Sequence, residues 1–566
     1  MDITIKVTIA AVILLLLIIF KIKYDEKKYK ERLINRLKKT WGVPLNRDYT
    51  PELMKNIKYY FKQTSGENDV DDITCNDIDL DSVYKKINHT CTSIGEEYLY
   101  ALLRKPITDE KELQERERII QIMSDNPEER LKLQLALSQM GKPGKISVYQ
   151  YLQEIKDIKC NSQLKHIICA ILPVVSVGLC FLLPDIMILI TIVIFAYNII
   201  SYYKSKAGIN AYIQLFGFIV RTVRQSKDIA KQKISGIEEY QEKLKECAEK
   251  FDKFCKNSYL VSGGSQMGGD ILDSLADYIR MIFHIDLIKI CSMAKEAAKY
   301  ENELFEIYEI IGYIDSMVSI SSYRQSLEYY CVPELLHSDS GKSHDIFIEC
   351  NELCHPLIDE PVKNSIKTNK CVLLTGSNAS GKSTFIKTVA LNAIMAQTIH
   401  TVLAKNYRSS YYYIYSSMAL RDDLFSNESY YIVEIKSLKR ILDKVKSSSV
   451  PVLCFIDEVL RGTNTLERIA SSSEILAKLS KLGAMCFAAT HDIELTSILE
   501  EHFSNYHFEE HVDDNDVLFD YKLRKGKANT RNAIKLLKMI GYDDDITYNA
   551  ENHAINFLDT GVWNKI

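Results

Sequence analysis

The chain has no Cys-x-x-Cys pair, although it carries 14 cysteines in 566 residues. Spacing of the kind that holds structural zinc is therefore missing. The tightest cluster, Cys350-x3-Cys354-His355, reads as reduced cysteines beside a strand, in keeping with a reducing cytosol for most of the chain. A dominant charge of one sign is missing too. The 71 Lys and Arg against 75 Asp and Glu leave a net charge of −4. No global basic field draws the chain to nucleic acid, so any such contact must use a local patch. Glycine and proline are sparse from about 82 to 330, and no internal repeat is evident. A composition that is 46% hydrophobic and 26% charged excludes wholesale disorder. The length predicts about three or four units.

Three apolar segments are present. The first runs Val7 to Phe20, or Ile3 to Phe20 if Lys6 snorkels. It is followed by Lys21, Lys23, Tyr24, Asp25 and Glu26, with no small-residue cleavage site, which argues against a removed signal peptide. The second runs Ile167 to Leu183 and the third Ile186 to Ile200, separated by Pro184-Asp185. Near-continuous apolar character predicts a membrane hairpin with its tight turn at Pro184-Asp185; a buried soluble helix pair is the alternative. Lys21, Lys23, Lys27, Lys28, Lys30 and Arg32 follow the first segment, and Lys165, Lys204 and Lys206 flank the hairpin. Positive flanks stay cytoplasmic. The expectation is a multi-pass protein of the cell membrane with residues 21–166 and 204–566 in the cytoplasm. The basic run could touch anionic lipid, or be a solvated helix face.

From Ser82 to about Tyr330 the soluble parts have helical periodicity, as in Tyr98, Leu99, Leu102 and Leu103, or Leu304, Ile307, Ile310 and Ile311. Gly263, Gly264, Gly268 and Gly269 mark a loop. From about Ser343 short β-rich runs alternate with helices: Ile346–Glu349, Val372–Thr375, Tyr411–Ser416, Val452–Ile456, Met485–Ala489, Tyr506–His511 and Val517–Leu523. Such alternation predicts an α/β layered domain. A last helix is expected from Asn532 to Ile540.

The chemistry lies in that second half. Gly376-Ser-Asn-Ala-Ser-Gly381-Lys382-Ser383 fits G-x4-G-K-[ST], between an apolar strand, Cys371–Leu374, and a helix, Ser383 to Ala396. Its glycines let backbone N–H groups face phosphate oxygens, and the helix N-terminus adds positive charge. Lys382 is expected to neutralise the β- and γ-phosphates of ATP, and Ser383 to ligate Mg2+. The apolar strand from Pro451 ends in Asp457-Glu458. Two acids there are costly unless a cation or a reaction uses them. Asp457 is expected to hold Mg2+, and Glu458 to orient or deprotonate the attacking water. Past a third buried strand comes Thr490-His491-Asp492, whose His491 reads as a γ-phosphate sensor. The nucleotide set is Gly376, Ser377, Asn378, Ala379, Ser380, Gly381, Lys382, Ser383 and Thr384, with Glu458, His491 and Lys382 catalytic.

These motifs together resemble the MutS family, the ATPases of DNA mismatch recognition. The loop at Gly376 resembles the family's G-P-N-x-G-G-K-S-T, with Asn378 kept. Arg421-Asp422-Asp423-Leu424-Phe-Ser426-Asn-Glu-Ser429-Tyr-Tyr-Ile-Val-Glu434 resembles D-D-L-x-x-G-x-S-T-F-x-x-E. Asp457-Glu458-Val-Leu-Arg461-Gly462-Thr463-Asn-Thr465 resembles D-E-x-G-R-G-T-S-T, and Thr490-His491 resembles A-T-H-Y. Upstream, His355-Pro356, Ile314-Asp315 and the run Ser93-Ile-Gly95 to Pro106 are similar to the family's helical core and approach to the ATPase. The resemblance implies a homodimer in which Ser429 reaches the partner's γ-phosphate, with Asn464 and Thr465 near the joint; a simple helix cap is the other reading of Ser429. It also implies DNA as a partner. Residues corresponding to a mismatch-reading domain, a connector and a C-terminal Smr nuclease are not found. Phe347-Ile-Glu349 has the spelling of the mismatch probe but falls on an ATPase strand. Asn427 replaces Gly, Tyr430 replaces Thr and Leu460 replaces Gly.

The expected fold is an α/β P-loop (ABC-type) ATPase domain at the C-terminus, preceded by an all-α core and lever region and three transmembrane helices. The expected segments are 3–20 transmembrane helix, 21–80 basic helical linker, 81–166 helical core, 167–203 transmembrane hairpin, 204–335 core and lever, 343–535 ATPase and 536–566 tail. The expected function is a membrane-anchored ATPase whose nucleotide state drives a dimer on mismatched or branched DNA. Any DNA contacts are expected in residues 204–330, where Arg221, Arg224, Lys227, Lys231 and Lys233 form a basic stretch whose other reading, a solvated or membrane-facing helix surface, is slightly favoured. An ATP-gated membrane scaffold for a protein partner is the alternative. A transport ATPase would need an L-S-G-G-Q signature, which is missing.

Overall fold

The computed structural model describes residues 3–565 except 46, 145, 156–162, 208–209, 259–260, 262–277, 338–345, 378–379, 419–429, 514–515, 528–533, 535–536, 538–539 and 564. The expected glycine loop at 263–269 and most of the expected helix 532–540 thus lie outside the described residues. The molecule is mostly helical with mixed sheets, and it divides into two compact units. One comprises Met1–Ser65, Ile87–Ala101 and Glu117–Ser326; the other comprises Gly66–Lys86, Leu102–Arg116 and Leu327–Ile566. The chain is therefore interleaved, and two early segments belong with the ATPase half.

In the helical unit, Pro51–Thr64 shows why helices form where they do. The Thr50 hydroxyl accepts the Leu53 N–H at 3.2 Å, and Pro51 opens the first turn. Met54, Ile57, Tyr60 and Phe61 then bury one face. Two buried carboxylates tie distant helices together. Asp315 accepts the Cys91 and Thr92 N–H groups, each at 2.8 Å, and the Thr92 hydroxyl at 2.7 Å. Gly95 sits against it so closely that a Cβ would lie 2.2 Å from the carboxylate. Glu97 accepts the N–H groups of Val148 and Tyr149 and the hydroxyls of Ser147 and Tyr308. Burial raises the carboxyl pKa of Glu97 to about 7 and of Asp315 to about 6, against the pull of these donors.

Among the described residues two helices, not the expected three, are long and apolar enough to cross a membrane: Gln163–Cys180 and Pro184–Lys206. They are only 22% and 17% buried. At 1.5 Å per residue they extend about 27 and 35 Å, which brackets a hydrocarbon core of about 30 Å. The first expected segment is instead the beginning of one 38-residue helix, Ile3–Thr40, which runs on through the lysine-rich stretch. The hairpin turn also differs. It lies at 181–183, and Pro184-Asp185 form the first turn of the second helix. Proline suits that position because its missing N–H would have no partner there, and Asp185 complements the helix dipole. Asn198 ties the two hairpin helices together by donating to the Cys169 carbonyl at 2.6 Å, and fixes the hairpin to the unit by donating to the Ile282 carbonyl at 2.9 Å.

In the other unit the strands are β1 Glu334–Leu336, β2 Ile348–Leu353, β3 Asn364–Thr368, β4 Cys371–Thr375, β5 Asn406–Ser410, β6 Tyr413–Ser417, β7 Val452–Asp457, β8 Met485–Ala489, β9 Phe503–His507, β10 Glu510–Asp513, β11 Asp516–Phe519 and β12 Arg524–Lys525. The central sheet has the order β12-β9-β4-β8-β7-β6 and is parallel except for β12. Its strands β4 and β8 are buried throughout, as continuous apolar runs require. A second sheet has the order β1-β5-β2-β3. The early segments are built into this unit. The Asp77 carboxylate, 3% exposed, accepts the Ser416 hydroxyl at 2.6 Å and the Met418 N–H at 3.0 Å. The Ile107 N–H donates to the Gln397 carbonyl at 3.0 Å.

Candidate functional site

The site forms where β4, β7 and β8 end. After β4 the chain turns at Gly376, whose φ is +141°. A Cβ there would lie 2.8 Å from the Ser380 hydroxyl and 2.9 Å from the Phe508 carbonyl, so only glycine fits. Gly381, at φ +101°, opens the helix Lys382–Thr398. Lys382 folds back over this loop and donates to the carbonyls of Gly376 and Ser377, both at 2.6 Å. Its burial lowers the ammonium pKa to about 8, although Asp457 and Glu458 pull the other way. Asn378 and Ala379 lie outside the described residues.

Strand register brings the acids to this loop. Asp457 pairs with Ala489, so the next N–H, of Glu458, donates to the Ala489 carbonyl at 2.9 Å. The Ser383 hydroxyl donates to the Asp457 carboxylate at 2.5 Å. These are hard oxygen donors on adjacent elements, a set that suits Mg2+. Glu458 bonds His491 Nε2 at 2.8 Å through one oxygen and Arg461 Nε at 2.5 Å through the other. His491 itself stands on a braced loop. The Asp492 N–H donates to the Thr490 hydroxyl, and the Asp492 carboxylate takes a forked ion pair from Arg468 at 2.6 and 2.9 Å. Arg468 and Asp492 were not legible as site residues, because their pairing joins a helix to a loop 24 residues away.

The turn after β7 carries two residues in the left-handed region, Glu458 at φ +57° and Leu460 at φ +59°. Glu434 holds it from below. Its carboxylate accepts the Leu460 N–H at 2.5 Å, and burial raises its pKa. The preceding segment 421–429, with Ser429, lies outside the described residues. Asn464 caps the helix Thr465–Lys481 by accepting the Glu467 N–H at 2.9 Å.

Beside Gly381, Ser383 and Thr384 opens a cavity of about 480 Å³ lined by His355, Ile358, Val362, Phe508 and Tyr521. Burial, with Lys387 and Lys86 nearby, lowers the His355 pKa to about 4, so its ring is neutral at pH 7. His355 Nδ1 accepts the Leu357 N–H at 3.2 Å, which leaves the proton on Nε2. A neutral imidazole with two aromatic rings makes a lining suited to a flat base. Phe508, Tyr521 and Glu510 are functional-site neighbours that sequence reasoning missed. The Glu510 carboxylate accepts the Ser377 hydroxyl at the phosphate loop.

Other expectations fare differently. Cys350 and Cys354 are buried, and the Cys354 thiol contacts the Tyr329 hydroxyl; among the described residues no group of three or more His, Cys, Asp or Glu side chains is placed to hold a metal ion. Glu349 lies in β2, as expected for a chance probe spelling. Of the basic stretch, Arg221 donates to the Met140 carbonyl, Arg224 to the Ser258 hydroxyl, and Lys227 pairs with Asp252. Three of its five cations are thus already engaged within the helical unit.

A buried parallel strand, a glycine turn into a helix, and paired acids at the end of the next strand but one define a P-loop ATPase domain at the C-terminus. Residues 372–558 match MutS domain V. Over about half of its length the chain is similar to proteins of the MutS family. It is 28% identical over 301 residues to MutS protein homolog 4 of Homo sapiens, covering 50% of this chain and 31% of that protein. It is 31% identical over 285 residues to the DNA mismatch repair protein MutS of Thermotoga maritima, covering 48% and 34%. Against the protein of the same name from Clostridium kluyveri the identity is 32% over 283 residues, covering 47% and 30%. The chain spans about a third of the length of these curated relatives.

Proposed function

We propose that this chain is a membrane-anchored ATPase whose nucleotide state reshapes a homodimer acting on DNA. The observation that supports it most is the meeting of Ser383 with Asp457, and of Glu458 with His491, beside the Lys382 loop. Lys382 and the loop N–H groups from Gly376 to Thr384 would hold the triphosphate. Ser383 and Asp457 would hold Mg2+, which when bound neutralises phosphate charge. Glu458 would orient a water and take its proton, with His491 and Arg461 fixing the carboxylate. The test is Glu458→Gln. Nucleotide binding should persist while turnover falls by about 100-fold or more, the usual contribution of a positioned base. Wild-type turnover in this variant would refute the assignment.

Membrane anchoring is supported by the two exposed apolar helices, and DNA by what the relatives are named for. The dimer rests on the resemblance around Ser429. Mixing Lys382→Ala with Ser429→Ala subunits should restore one working site per dimer; a fully active monomer would exclude a shared site. The engaged state of Arg221, Arg224 and Lys227 favours keeping a second reading, an ATP-gated membrane scaffold for a protein partner. Binding to perfect duplex, mismatched duplex and four-way junction across a salt series separates the two. No binding to any of them at low salt would favour the scaffold.

A further inference from the structure

A second cavity, of about 420 Å³, lies in the helical unit beside the start of the first hairpin helix. Ala170, Phe283, Ile285 and Ile288 give it apolar lining, and Lys253, Lys256 and Lys289 line it as well. No carboxylate lines it among the described residues. The nearest candidate on the same short helix, Asp252, is already paired with Lys227. The Lys289 ammonium is held in place by the carbonyls of Lys253 at 3.0 Å and Phe254 at 3.1 Å. Lys253 and Lys256 are exposed, and their side chains form no ion pair or hydrogen bond among the described residues. Three ammonium groups around an apolar floor, with no carboxylate in the lining among the described residues, form a site for an anion attached to something greasy.

The neighbouring helix supplies the greasy track. Val174 and Val177 lie four and seven residues past the cavity-lining Ala170, on the same face of the helix, and are 62% and 44% exposed. They continue that face from the cavity along the hairpin. We propose that this cavity binds the phosphate of an anionic glycerophospholipid headgroup, with its acyl chains laid along that stripe. The proposal rests on the membrane reading above. It places the ligand in the cytoplasmic leaflet, where anionic lipids give a negative surface.

The test uses the full chain in nanodiscs holding equal phosphatidylglycerol and phosphatidylcholine, with retained lipid counted by native mass spectrometry. Wild type should retain one phosphatidylglycerol per subunit, preferred about tenfold over phosphatidylcholine. Lys253→Gln with Lys256→Gln should remove the preference, because both side chains are exposed and neither supports the fold. Lys231→Gln with Lys233→Gln, the same charge change elsewhere on the unit, should leave it intact. Equal retention of both lipids, or an unchanged preference in the first double variant, overturns the proposal. Displacement by millimolar inorganic phosphate would also overturn it, by assigning the site to a soluble anion. Carbonate extraction of wild type separates the two levels. Release from the membrane sinks the anchoring itself, whereas retention with no lipid preference sinks only the headgroup site.

Discussion

At position 460 the family pattern has glycine and this chain has leucine, and the structure shows two opposed effects there. Leu460 sits at φ +59°, a conformation that costs a side-chain-bearing residue about 1–2 kcal/mol. Its side chain is only 2% exposed and packs with Leu438, Ile456, Val459 and Leu476. Truncating such a leucine costs about 2–5 kcal/mol. Leu460→Gly recovers the backbone term and loses the packing, so the ATPase unit should lose about 0–4 kcal/mol. Leu460→Ala loses packing and keeps the strain. Glycine should therefore be the more stable of the two variants by roughly 1 kcal/mol, the reverse of their order at a right-handed position. The assay is chemical denaturation of the full chain, following the transition that shifts on adding a non-hydrolysable ATP analogue. An alanine variant as stable as the glycine variant would refute the strain; a glycine variant more stable than wild type would refute the packing.

Lys382 loses its charge near pH 8 in the free protein, so nucleotide affinity should fall as pH rises from about 7 to about 9, with up to tenfold loss per unit. Binding should take up a proton at the higher pH; calorimetry in two buffers of different ionisation enthalpy that finds none would contradict this. Glu510 places an anion at the phosphate loop, and Glu510→Gln should tighten ATP binding several-fold, on the order of 1 kcal/mol for charges about 4 Å apart under water-like screening. Weaker binding in a nucleotide titration would show that the carboxylate supports the loop. Asp77→Ala strands the Ser416 and Met418 donors and should lower the ATPase-unit transition by about 1.5–3 kcal/mol, although residue 77 lies 339 positions before Ser416. An unchanged midpoint would mean that the early segment is not part of that unit.

The sequence by itself determined the chemistry of the site and the strands that carry it. The phosphate loop is contiguous, Asp457 and Glu458 are neighbours, and each stands at the end of an apolar run whose periodicity is local. Met485–Ala489 is therefore legible to the residue, and β4 and β7 nearly so. The short strands β1 and β3 were not legible, since Glu334–Leu336 and Asn364–Thr368 have no apolar run and exist through pairing with β5 and β2. Tertiary structure alone decided that Gly66–Lys86 and Leu102–Arg116 belong with the ATPase half. It decided that Asp492 and Arg468 brace His491, and that Glu510 enters the phosphate loop. It also assigned three of the cations at 221–233 to internal partners. The reason is the same in each case. Periodicity reports which face of an element is buried, but a hydrogen bond between residues far apart in the chain leaves no periodic trace, and only the folded backbone brings its two ends within 3 Å.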